Sequence, residues 1–269
     1  MDQTNAFRER IETGDAVIGA RTSTFSPSLV EIYGALGLDF VWLDFEHAGM
    51  SPWNSTVFEN LTRSATIGDV ELLVRIPKND PALIRKVLDA GVRTVLIPRV
   101  DGVDDVRKAI EAARFVYDGS PGERGMAHWR SSGFGSIPEK EYTTGEDQNV
   151  CIGAMIEKVG ALEELDEILA LPELGFVFPG PGDFSVQLGH PGERDHPRVR
   201  EAITEIETTV LESEIPLGGI AQGGELAIER LSDGYQILRI GDEFEAVKRT
   251  IRSRLDSIEN RQTQWRDEI

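Results

Sequence analysis

Eight short apolar runs, separated by amphipathic stretches, recur along the whole chain. That rhythm constrains the fold more than any single motif, because a strand covered on both faces by crossover helices reads as an unbroken apolar run. The runs are "AVIGA" from Ala16, "FVWLDF" from Phe40, "ELLVRI" from Glu71, "RTVLIP" from Arg93, "VCIGAMIE" from Val150, "FVFPG" from Phe176, "PLGGIA" from Pro216 and "QILRI" from Gln236. Helices are expected at Pro27 to Leu36, Pro52 to Thr66, Pro81 to Ala90, Asp104 to Val116, Leu162 to Leu171, Pro197 to Glu212, Glu225 to Leu231 and Glu243 to Ser257. Several open on proline, whose fixed φ suits a first turn and whose missing N–H costs nothing there. Eight such units in 269 residues predict one (β/α)8 TIM barrel, a single domain over residues 1–269. One connection, between Tyr117 and Asn149, is long and rich in Gly, Ser and charge. Loops of that length in compact folds are usually functional or mobile, and this one should leave from the bottom of the barrel.

Composition narrows the partners. A formal charge of −19 and a pI near 4.6 repel phosphate, which argues against nucleic acid and anionic membranes and for a small-molecule ligand. Arginine outnumbers lysine 22 to 6, and acids are spread over helices such as "EKVGALEELDEILALPELG". Either this is an ordinary acidic protein, or its carboxylates hold water and ions at molar salt, where repulsion is screened within roughly 3 Å. The halophilic reading is the expectation. Cys151 stands alone in an apolar run, so no intrachain disulfide forms and the thiol is read as a packing residue. "MDQTNAFRERIETG" lacks the pattern of a secretory signal, and no window approaches the roughly 18 apolar residues of a membrane span, so a cytoplasmic location is expected.

A barrel of this kind builds its active site where the strands end. The second strand ends in Asp44, Glu46 and His47; the third offers Arg75; the fifth ends in Glu157; the sixth runs into "FPGPGDFS" with Asp183. Glu157 and Asp183 are the oxygen ligands that a hard divalent cation takes, Mg2+ or Mn2+ among them, although an N-capping Asp and a solvated Glu also occur at such places. His47 has the chemistry of a general acid or base whose ring Asp44 could orient, or it is a structural histidine. An arginine inside "ELLVRIP" needs an anionic partner if it faces the mouth. His128, His190 and His196 are read as solvated loop residues.

"WLDFEHAGM", "LLVRIP", "GERG", "MIEKVGAL" and "FPGPGDFSVQLG" together resemble the motif series of the HpcH/HpaI family of class II pyruvate aldolases, from about Gly19 to the helix after Gly241. The resemblance implies metal-dependent, reversible cleavage of a 4-hydroxy-2-oxo acid to pyruvate and an aldehyde, with Mg2+, Mn2+ or Co2+ as cofactor. It implies Glu157 and Asp183 as metal ligands, Arg75 at the pyruvyl oxygen, and His47, held by Asp44, as the proton-transfer residue. The N–H groups of Gly182 and Asp183 would receive the pyruvate carboxylate. It further implies a C-terminal helix swapped between subunits in a homohexamer or other homo-oligomer. Three positions depart from the family pattern: Met155 where Gln is frequent, Gly182 where Ala is frequent, and Arg21 where an aromatic residue is frequent. Arg21 is therefore expected at the mouth, either selecting a polar or anionic acceptor or bridged to Asp44 or Glu46. Two rival functions remain open, an acyl-CoA lyase of the related citrate and malyl-CoA group and a non-catalytic small-acid-binding barrel.

Overall fold

The computed structural model describes residues 4–267, with side chains through residue 258. Eight strands form one parallel sheet: β1 (Val17–Thr22), β2 (Phe40–Asp44), β3 (Glu71–Arg75), β4 (Thr94–Ile97), β5 (Cys151–Ile156), β6 (Leu174–Pro179), β7 (Gly218–Ile220) and β8 (Ile237–Asp242). Neighbours in sequence are neighbours in the sheet, β8 lies beside β1, and a Val177–Leu217 bridge joins β6 to the approach of β7. The result is a (β/α)8 barrel whose eight strands fall on the eight apolar runs.

Side chains fill the barrel in layers. Phe40, Trp42, Leu73, Leu96, Cys151, Met155, Phe176, Phe178 and Ile237 form an inner cluster, distinct from the larger shell between strands and helices. Large rings require small neighbours: a Cβ on Gly153 would come within 2.3 Å of the Phe176 ring, and one on Gly218 within 2.2 Å of Phe178. Glycine at those strand positions is thus a packing requirement. Cys151 is fully enclosed in this cluster, and burial pushes its thiol up to about 12, so it packs rather than reacts.

Helix boundaries follow local chemistry. The helix expected from Pro52 begins at Ser55 because the Asn54 side chain accepts the Thr56 N–H. The stretch Leu162 to Leu171 is two short helices, Val159–Glu163 and Leu165–Leu169, separated at Glu164. A helix that the apolar rhythm does not announce, Ala6–Glu12, is capped by Asn5 and drives Phe7 and Ile11 into the lower end of the barrel. Phe7 meets Phe40 and Phe176 edge-on, at 5.4 and 5.7 Å between centroids.

The Tyr117–Asn149 connection has structure of its own. It contains a hairpin, Val116–Tyr117 with Ser120–Pro121, and a helix, Glu139–Asn149. Arg124 and Glu146 form an ion pair of 2.8 Å with both side chains fully enclosed, and Arg124 also lies 5.0 Å from the Phe115 ring centroid. Asp147 accepts the N–H groups of Phe115 and Val116 at 2.8 and 2.9 Å, while the Tyr142 hydroxyl meets Ser131 at 3.0 Å. These contacts fasten the connection to its own first half, and the Glu123 N–H, donating to the Glu111 carbonyl at 2.8 Å, ties it to the helix Val103–Ala113.

Candidate active site

Ionisable side chains gather where β1, β2, β3, β5 and β8 end. Asp44, the last residue of β2, is opposite Arg75, the last residue of β3, in the strand register. Its carboxylate accepts from Arg75 through both oxygens, Nε to Oδ1 at 3.0 Å and Nη2 to Oδ2 at 2.6 Å. Burial alone would raise the Asp44 pKa, but the guanidinium overrides it and holds the carboxyl below its ordinary range. Arg75 Nη1 lies 3.0 Å from Glu46 Oε2, and its guanidinium carbon is 5.6 Å from the centroid of the Trp42 ring. The contact is an ion pair without a hydrogen bond, and that buried oxygen has no hydrogen-bond partner among the described residues. Burial raises the Glu46 pKa, with Asp44 and Asp183 adding to the rise and Arg75 opposing it.

His47 is placed differently from the expected arrangement. Asp44 accepts the backbone N–H of His47 at 3.4 Å and of Glu46 at 3.3 Å, so it shapes the turn and does not hold the ring. The imidazole Nε2 instead stands 3.5 Å from Glu46 Oε2, with 58% of the side chain exposed. The bidentate hold on Arg75 occupies Asp44 and leaves Glu46 beside the ring.

Glu157 follows β5 and is buried, accepting the Arg99 N–H at 2.7 Å. Gly180 is required beside it, because a Cβ there would come within 2.5 Å of Glu157 Oε2. Burial, reinforced by Glu46 and Asp183, pushes the Glu157 carboxyl up to about 7. Asp183 lies in the first turn of the short helix Pro181–Gln187, with Arg99 Nη1 at 3.3 Å from its Oδ1. Glu46 and Glu157, whose carboxyls are both pushed up by burial, with an orphaned oxygen on Glu46 and with Asp183 beside them, are the donor chemistry that a hard divalent cation satisfies. Glu157 and Asp183 fit that role as they stand, with Glu46 close by.

Arg21 reaches the mouth from β1, bonded to Asp242 at 3.0 Å and 3.6 Å from Asp44 Oδ2. The partner Asp242 was not among the expected residues; it extends β8 beyond the apolar run, and its pKa is lowered by the Glu245 N–H, Arg21 and Arg239 against the opposing effect of burial. Arg99, which touches both candidate ligands, also escaped notice, although "LIPRVDG" places it just past a strand end. Arg239 in "QILRI" carries the same signal as Arg75, an arginine within an apolar run, and went unread. His190 and His196 are partly buried and stacked at 3.4 Å between centroids, and His196 caps the helix Pro197–Leu211, so neither is a free loop residue. His128 is 62% exposed and lies 3.5 Å from Glu139.

A hollow at the other end of the barrel, bordered by Phe7, Arg10, Asp39, Gly68 and Arg93, holds the Arg10–Asp39 pair and the Arg93 end of the Arg93–Glu146 pair.

A clamped guanidinium beside carboxylates suited to a cation can stabilise negative charge developing on an oxygen, the kind of chemistry that a carbon–carbon lyase uses. The chain belongs to the HpcH/HpaI aldolase/citrate lyase family, whose model matches residues 21–249. It is 30% identical to a hydroxypyruvate/pyruvate aldolase of Roseovarius nubinhibens, over 94% of this chain and 96% of that one. It is 33% identical to a 4-hydroxy-2-oxo-heptane-1,7-dioate aldolase of Shigella boydii, over 90% and 88%. Among solved structures, an HpcH/HpaI aldolase/citrate lyase family protein from Burkholderia cenocepacia superposes with a TM-score of 0.87 at 27% identity, covering 95% of this chain and all of that one.

Proposed function

We propose that the enzyme reversibly cleaves a 4-hydroxy-2-oxo acid to pyruvate and an aldehyde. The observation that carries the reading is the buried Asp44–Arg75 clamp beside Glu46, Glu157 and Asp183. Glu157 and Asp183 would hold a divalent ion, Mg2+, Mn2+ or Co2+, which supplies Lewis-acid charge at the 2-oxo group. Arg75, fixed by Asp44, donates to the pyruvyl oxygen on which charge accumulates as the C3–C4 bond breaks. His47, exposed at the rim with Glu46 beside its ring, takes the C4 hydroxyl proton. The bond's electron pair then passes to C3 and into the enolate of pyruvate, which takes up a proton to complete turnover. The N–H groups of Gly182 and Asp183 receive the pyruvate carboxylate, and Arg21 lines the acceptor side.

The family resemblance and the surface support the rest of the reading. Phe244, Val247, Ile251, Leu255 and Ile258 of the C-terminal helix Glu243–Asp267 are between 46% and 60% exposed. An apolar stripe of that kind needs a cover, and a second copy of the chain in a homohexamer or other homo-oligomer, with the helix swapped, provides one. No helix among the described residues is long and apolar enough to cross a membrane, which accords with a cytoplasmic enzyme. The charge of −19 accords with a saline interior. The test is pyruvate release from 4-hydroxy-2-oxo acids of several lengths, in high-salt buffer with Mg2+, Mn2+ or Co2+. No release from any of them would overturn the proposal.

A further inference from the structure

Three arginines point into the mouth from the barrel strands, and one of them has no acid. Arg75 is matched by Asp44 and Glu46, and Arg21 by Asp242. Arg239, on β8, makes no hydrogen bond or ion pair through its guanidinium among the described residues. Its Nε is shut away from solvent without a partner, while the residue as a whole is only partly buried. Its guanidinium carbon lies 5.7 Å from the centroid of the Trp42 ring, the ring that Arg75 also approaches.

Burial, followed by the charges of Arg21 and Arg75, lowers the Arg239 pKa to about 10, yet the group stays ionised at neutral pH. An unmatched cation in a poorly solvated place is costly, and folded proteins keep such groups where a ligand supplies the opposite charge. The acids nearest to it are already engaged, Asp242 by Arg21 and Asp44 by Arg75. The planar guanidinium suits a carboxylate, which it can grip through two parallel N–H bonds, and an aromatic ring holds it in place. Position decides which carboxylate. The pyruvate acid is assigned to the turn after β6, whereas Arg239 lies two strands further round the barrel, beside β1.

We propose that Arg239, resting on Trp42, is an anion subsite that receives a carboxylate on the aldehyde half of the substrate, so that the preferred 4-hydroxy-2-oxo acid carries a second acid group. The proposal deepens the aldolase reading and rests on it.

The experiment compares full-length wild type, Arg239→Gln and Arg239→Lys in the addition of pyruvate to succinic semialdehyde, which bears a carboxylate, and to butanal, which does not, at constant ionic strength. Arg239→Gln should lower the ratio of kcat/KM for the anionic over the neutral acceptor at least tenfold, chiefly through KM. Arg239→Lys keeps a point charge without the fork and should recover part of that ratio. Removal of an unmatched charge should not prevent folding. An unchanged ratio, with both acceptors equally impaired or neither, overturns the subsite. Calorimetric binding of succinate reads the same site without turnover: at least tenfold weaker binding to Arg239→Gln supports it, and equal binding overturns it. Proton exchange on pyruvate by the wild type, without acceptor, tests the aldolase reading separately.

Discussion

Asp44 holds Arg75 through both carboxylate oxygens, at 3.0 and 2.6 Å, with only 1% of the Asp44 side chain and 9% of that of Arg75 exposed. The two ends of β2 and β3 are thereby fixed relative to each other, and the remaining Nη1 is directed toward Glu46 and the mouth. Arg75→Ala should lower aldol turnover by at least about 100-fold, the scale expected when an oxyanion donor is lost. Asp44→Asn should cost about 3–5 kcal/mol of stability, because it strands a buried cation. Steady-state kinetics and denaturant unfolding read the two effects, and near wild-type turnover in Arg75→Ala would contradict the enolate site.

Glu157 makes stability depend on pH in a definite direction. Its folded pKa of about 7 lies above the ordinary glutamate value of 4.5, so the folded state binds more protons than the unfolded state between those values. Stability without metal should therefore fall as pH rises from about 5 to 7, and a divalent ion should restore more of it at pH 8 than at pH 5. Glu157→Gln should flatten both trends. Thermal unfolding with and without Mn2+ measures them; a metal effect independent of pH would show that Glu157 is not a ligand.

Turnover should need a divalent ion and no Schiff base. Lys158 adjoins Glu157 in the chain, but its Nζ is bonded to Asp101 at 2.7 Å, and Lys78 is 72% exposed beside Asp80. Lys158 is held by its ion pair and Lys78 lies in solvent, so neither is the unpaired, desolvated lysine that forms imines. Chelation should abolish activity, and borohydride with pyruvate should leave the enzyme intact; inactivation by borohydride would refute the metal-dependent assignment.

Light scattering in high salt should report an oligomer. Val247 and Ile251 sit within the apolar stripe and are 60% and 48% exposed in the single chain. The double substitution Val247→Asp, Ile251→Asp should shift the mass to smaller species. A monomeric wild type would remove the interface.

Much of this was legible because burial writes itself into sequence. All eight strands lie within a few residues of the apolar runs, since a strand covered on both faces is dominated by apolar residues, with charge mostly toward its end. Asp44, Arg75, Glu157 and Asp183 were placed at the mouth by strand order alone. The helix Glu139–Asn149 was invisible because it buries only Tyr142 and Glu146 and so shows no apolar period. Asp242 was missed because strand pairing with β1 carries β8 past its hydrophobic residues. The His47 ring went astray for a physical reason: adjacency in sequence made Asp44 its natural partner, but a guanidinium on the next strand outcompetes an imidazole for a buried carboxylate.

The enclosed pair of Arg124 and Glu146 decides how the lower rim opens. Swinging the Tyr117–Asn149 connection outward would separate two ions that no water reaches, at a cost of several kcal/mol. Amide protons around the buried Tyr142 and Glu146 should therefore exchange more slowly than those of the exposed stretch around Met126 and Trp129. Long and polar as it is, the segment is fastened on its inner side, so a protease should cut its exposed stretch around Met126, Trp129 and Phe134 before it reaches the helix Glu139–Asn149.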